Sequence, residues 1–293
     1  MEIILVLGRL LFSTASNVYQ KQLSNKGLHP LYIVATTYFV LFVLALPFLW
    51  NIGANHSQTF WVNVFLAALL DAGGWIFLVT SLSRTDLSVF GPLNAYKVVL
   101  SMLFALLFLG EVPSLQGGVG ILIILAGSFL LLPAKTSGFK NSLSLFARDR
   151  GVQSRFFSIF LFSVGTIFLK NAVVASTPLD TLVWWSLMGL PLILFANMLL
   201  ATGEFSRNFK DSRDYWQVIV LIGLMVFVMQ FFTLVLLSTM LVAYALALFQ
   251  MAMVLQVFVG KHVFQEKHFV KRLMASLVML VGSCMVIFAS ANF

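Results

Sequence analysis

Asp71 and Lys97 are charged residues set deep inside long apolar runs of a 293-residue chain. A charge at the centre of a bilayer costs about 2.5–3.5 kcal/mol on insertion scales, so each needs a polar interior to sit in. A lysine ammonium there can hold a carboxylate or phosphate. Asp71 can hold the lysine instead, as a buried ion pair that fixes packing, or it can exchange a proton. Asn94 precedes Lys97 by three residues, on the same helical face. Arg9, Ser13, Ser16, Asn17 and Gln20 recur at i, i+4, i+7, i+8 and i+11, and so form one polar stripe. Serines in such a stripe serve helix–helix hydrogen bonding as readily as ligand binding. In the second half of the chain Gln230 offers an interior amide. Lys170, with Asn171 beside it and Thr166 one turn back, is a candidate gate near a helix end. Arg9, Ser13, Asn17, Asp71, Asn94, Lys97 and Gln230 are therefore the candidate substrate ligands. The chemistry is reversible capture of a polar solute. No catalytic set is expected, because His29, His56, His262 and His268 all fall in loops and no HExxH pattern occurs. No metal site and no cofactor are expected either.

The elements that must position these residues are membrane helices. The chain is 60% hydrophobic and 10% charged, with mean hydropathy +1.00. Soluble domains carry about 25% charged residues. Ten apolar runs are predicted as spans, at 3–23, 30–50, 60–82, 87–109, 114–132, 156–175, 178–201, 215–237, 239–262 and 270–290, near the ~20 residues a bilayer requires. They lack the alternation of a membrane barrel, so the fold class is all-α integral membrane. The formal charge of +8 does not point to nucleic acid, because the basic residues lie mostly in short loops. The first run is read as a retained helix rather than a leader, since Arg9, Ser13 and Asn17 interrupt it. Lys21, close to its end, is expected to snorkel to the interface.

The chain repeats itself at a constant separation of 155 residues, as from Glu111 to Glu266, Gly127 to Gly282 and Trp61 to Trp216. This divides it into five spans over 1–134, a basic cytoplasmic linker over 135–150, and five spans over 151–293. Five is odd, so the second repeat is inverted, as in many secondary transporters. Lysines and arginines of the loops all fall in odd-numbered loops, Arg84, Arg155, Arg207 and Arg272 among them. The positive-inside rule then puts both termini outside. Glu111 and Glu266 each precede a helix, where the dipole favours negative charge.

Phe108-Leu109-Gly110-Glu111, followed by Gln116-Gly117 and Gly127, and then Glu266 through Gly282, resemble the drug/metabolite transporter superfamily in its ten-helix EamA-type branch. The resemblance covers the whole chain. It implies two inverted five-helix repeats around a central cavity lined by spans one to four and six to nine. Three features depart from that pattern. The Trp-Gly often seen in the first helix is Phe12-Ser13, Gln265 replaces the glycine before the second glutamate, and the charge rule sets the termini outside rather than in the cytoplasm. The expectation is a multi-pass transporter of the cell (inner or plasma) membrane, contacting membrane lipid, with protons as a candidate coupling ion. Interior positive charge favours a small anionic or zwitterionic metabolite such as an amino acid. A lipid-linked or polyprenyl substrate is the alternative.

Overall fold

The computed structural model describes residues 2–50, 52–53, 55–104, 115–131, 148–200, 208, 212–239 and 242–290. Glu111 and most of the linker lie outside them. The described residues are helical, with no strand among them. Helices α1 (Glu2–Asn25), α2 (Pro30–Ala45), α3 (Gln58–Arg84), α4 (Leu87–Leu93), α5 (Tyr96–Phe104) and α6 (Leu115–Phe129) come from the first half. From the second come α7 (Arg150–Val174), α8 (Pro178–Leu200), α9 (Trp216–Thr239), α10 (Val242–Gln250), α11 (Ala252–Phe264) and α12 (Phe269–Ser290). Among the described residues seven helices are long and apolar enough to cross a membrane, and three shorter apolar helices complete ten spans. The all-α, ten-span expectation holds.

Local chemistry sets the helix starts. Pro30 opens α2, where a missing N–H costs nothing, and the His29 ring accepts the Leu31 N–H at 3.3 Å. Pro178 opens α8 in the same way, and the Thr177 hydroxyl accepts the Asp180 N–H at 3.1 Å. Burial is inverted relative to a soluble protein. On α1 the apolar Ile3, Leu7 and Leu11 are exposed, while Ser16, Asn17 and Gln20 are buried. Such an apolar exterior is stable only against lipid. The polar stripe of α1 faces inward, as its spacing required. Lys21 corrects an expectation. It is buried, so it does not snorkel outward.

The fourth and ninth spans are each broken. Pro92 lies at the end of α4, and the chain turns through Asn94 and Ala95 before α5 resumes at Tyr96. Between α10 and α11 the chain turns at Met251. Met251 is the repeat partner of Tyr96, so the two breaks fall within two residues of each other in the duplication.

The chain forms two compact units that interleave in sequence. One comprises Met1–Ser83 and Val164–Met240, the other Arg84–Ser163 and Leu241–Phe293. In the first unit α9 packs on α1, α2 and α8, and α2 packs on α8. At one end of this unit the His29 N–H donates to Asn208 Oδ1 at 2.9 Å, and the Tyr32 and Ser212 hydroxyls meet at 2.7 Å. Loops one and seven therefore share an end. Loops two and six share another, where Ser176 bonds the His56 ring and Asp180.

In the second unit α6 runs along α12, and α4 packs on α11. Gly120 and Gly282 make the first approach possible. A Cβ on Gly282 would stand 2.7 Å from the Gly120 carbonyl oxygen, and one on Gly120 would stand 2.8 Å from that of Gly282. Glu266 precedes α12, as expected, and meets Arg272 of that helix at 3.5 Å. Its carboxylate also reaches a second helix. It accepts the Leu87 and Ser88 N–H groups at 2.6 and 2.9 Å, and so caps α4. Arg272 binds Asp86 at 2.6 Å beside it, which brings the third and ninth loops to one end.

Candidate binding site at the broken helices

The second unit brings both helix breaks together through side chains. Asn94 ends α4 and donates from Nδ2 to Gln250 Oε1, at the end of α10, over 3.3 Å. On its other side Asn94 Oδ1 accepts from Arg155 Nη2 at 3.0 Å. The Arg155 guanidinium lies 3.8 Å over the Phe90 ring, a cation–π contact that stabilises it in a poor solvent environment. Arg155 is 5% exposed and Gln250 0%. Gly91 lets the helices close here, because a Cβ would stand 2.7 Å from Gln256 Oε1 and 3.2 Å from the Met253 carbonyl. Lys97 follows the break in the first turn of α5 and is half-buried.

Arg155 is the residue that sequence reasoning misplaces. A sixth span starting at 156 leaves it among the loop cations. The helix in fact begins at Arg150. Asp149 caps it, with Oδ1 accepting the Val152 N–H at 2.9 Å. That cap signal, Asp149 followed three residues later by the first bonded amide, carries the helix upstream and puts Arg155 on the face of Ser158 and Ile159, both buried.

The first unit holds Asp71, 6% exposed. Trp185 Nε1 donates to Asp71 Oδ2 at 3.0 Å. The Trp185 ring packs on Tyr38, centroids 5.6 Å apart. Gly165 adjoins the same carboxylate, where a Cβ would stand 2.8 Å from Oδ1. Neither Trp185 nor Tyr38 stands out in the sequence, since aromatic residues are abundant and most only pack. Asp71 belongs to the first unit and Lys97 to the second. Of the other candidates, Asn17 and Gln230 are buried in the first unit, and Arg9 and Ser13 are half-buried. The Ser13 carbonyl accepts the Ser16 hydroxyl at 3.0 Å. Lys170 Nζ donates to the Leu237 carbonyl in the last turn of α9, where a cation satisfies the helix dipole. Among the described residues no group of three or more His, Cys, Asp or Glu could hold a metal ion.

Over residues 1–132 the sequence matches the EamA-like transporter family. The EamA-like region includes Phe108–Glu111, Gln116, Gly117 and Gly127, the residues on which the resemblance rests. A curated relative, "Uncharacterized transporter in cobO 3'region" of Sinorhizobium sp, is 31% identical over 71 residues, which is 24% of this chain. That match spans about half (50%) of the relative's length. A crystal structure of a protein aligns over 99% of this chain and 98% of its own, with TM-score 0.65 at 15% identity. That likeness concerns the fold alone, and it covers both halves of the chain.

Proposed function

We propose that this multi-pass membrane protein is a secondary transporter, and neither an enzyme nor a scaffold. It moves a small anionic or zwitterionic organic solute, such as an amino acid, through a central cavity by alternating access. The observation that carries this reading is the pair of breaks at neighbouring places of the repeat in the fourth and ninth spans, joined by Asn94 and Gln250. At both places the backbone tightens to bonds three residues back, Ala95 N–H to the Pro92 carbonyl and Met251 N–H to the Leu248 carbonyl, and irregular turns inside spans are where transporters place solute sites. The match of residues 1–132 to a transporter family and the relative named as a transporter support the same reading. Lys97 and Arg9 supply positive charge to the solute, Asn94, Asn17, Ser13 and Gln230 supply hydrogen bonds, and Lys170 gates the exit. The membrane is the cell (inner or plasma) membrane.

Proteoliposome counterflow with a panel of amino acids and organic anions tests the reading. Stimulated exchange of at least one member is expected. Movement of lipid-linked or polyprenyl substrates alone would favour the second substrate class, and no movement of any kind would end the transport reading.

Protons are the proposed coupling ion, with Asp71 the titrating group. Asp71→Asn keeps size and hydrogen bonding but removes titration. It should still exchange solute at equal concentrations yet lose accumulation driven by a pH gradient. Unchanged accumulation in that variant rules coupling through Asp71 out.

A further inference from the structure

Arg155, Asn94 and Gln250 form a chain of hydrogen bonds whose direction is forced. A guanidinium has donors and no acceptor. Asn94 must therefore turn its oxygen toward Arg155, as it does at 3.0 Å. Its NH2 then faces Gln250, which must present Oε1, as it does at 3.3 Å. This leaves Gln250 Nε2 as a donor. That nitrogen and Arg155 Nε are both buried with no hydrogen-bond partner among the described residues. A buried donor without an acceptor costs roughly 1–3 kcal/mol, more for a charged group. No carboxylate lies within ion-pair distance of Arg155 among the described residues. The Phe90 ring and one neutral amide are its contacts there. A full positive charge is thus held in the protein interior by a ring and an amide, with unused donors at both ends of the relay.

We propose that Arg155 and Gln250 form an anion subsite at the helix breaks and that its ligand is the carboxylate of the transported solute. This deepens the transport reading and rests on it for the word "transported". A carboxylate is the kind of acceptor that both orphan donors lack, and its charge would neutralise the guanidinium. Asn94 serves as a positioning residue. It locks the guanidinium to the fourth-span break and the glutamine to the ninth, so that a carboxylate entering the subsite bears on both discontinuous helices.

The test uses the full chain purified in detergent. Thermal unfolding is followed with propionate, alanine and glutamate, with propionamide as the uncharged control, and with inorganic phosphate, all at fixed ionic strength. At least one carboxylate should raise the unfolding temperature of the parent protein, and propionamide should not. Gln250→Met keeps the side-chain length and removes the donor; it should need at least tenfold more of that carboxylate for the same shift. Arg155→Gln should abolish the shift. If Arg155→Gln does not fold, Gln250→Met decides alone. Equal carboxylate stabilisation in Gln250→Met and the parent overturns the subsite, as does the absence of any carboxylate effect on the parent. Stabilisation by phosphate alone overturns the carboxylate assignment. Counterflow separates this inference from the transport reading. Exchange undiminished in both variants removes the subsite and leaves the transporter. Variant-sensitive carboxylate binding without any exchange supports the subsite and removes transport.

Discussion

Lys97 stands just beyond the Asn94–Ala95 break, where α5 has only begun. Its role in binding should be separable from any role in folding. Lys97→Ala should insert and elute as a monodisperse species in size-exclusion chromatography, yet show no solute counterflow. Normal counterflow would remove Lys97 from the site, and an aggregated variant would make its charge structural. Gln265 carries a different prediction. Its φ is 53°, a left-handed conformation at the end of α11 that favours glycine. The resemblance drawn from sequence expects glycine there, before the glutamate. Gln265→Gly should therefore stabilise the protein by about 1 kcal/mol, read as a higher unfolding temperature. At this scale the sequence is partly legible. Asn94 is visible because its spacing from Lys97 is helical. Arg155 is not, because hydropathy ends a span where polarity begins, while a capped helix continues through polar residues. Trp185 is hidden for the opposite reason, being one apolar residue among many until its indole is seen on Asp71.

Helices α6 and α12 show how small residues set an approach. Gly120 and Gly282 face each other's carbonyl oxygens, and neither backbone can yield easily. Gly282→Ala should destabilise the protein by about 1–3 kcal/mol, the usual cost of overpacking. Gly118, on the same α6, has open space where a Cβ would go, with nothing within 4 Å. Gly118→Ala should be neutral or should stabilise by about 0.5–1 kcal/mol, from helix propensity alone. Thermal unfolding of the pair of variants distinguishes contact from propensity. Equal effects would deny the close crossing. Element existence is readable, because each apolar run is long and bounded by polar loops. The break in the fourth span carries a signal, Pro92. The break in the ninth does not, since the residues around Met251 include no proline and favour helix. Its position follows only from the repeat.

On the scale of the whole molecule, loops one and seven share an end, loops two and six share an end, and loops three and nine share an end. These pairings agree with spans that each cross once. They leave the side to be fixed by charge. We propose that odd loops face the cytoplasm and both termini face outside. Alkaline phosphatase fused after Phe293 should be active, and a fluorescent protein inserted in linker 135–150 should fluoresce. A fluorescent C-terminal fusion would reverse the orientation and place the termini where resembling proteins have them. The repeat is legible through residue identity alone, at a fixed separation. The division into compact units is not, because packing partners in a duplicated chain come from distant segments that no local pattern records.

That interleaving has a consequence for how the protein is made. The first unit needs residues up to Met240, and the second needs the segment that starts at Leu241. Neither can close while the ribosome is still on the first half. Asn17, Gln20 and Asp71 enter the bilayer early, well before the residues of Val164–Met240 that complete their unit have been synthesised. For that interval the nascent chain holds polar side chains in lipid without their final surroundings, an expensive state. The two halves of the gene therefore make poor separate proteins, and the late-arriving helices act in effect as an internal chaperone for the early ones.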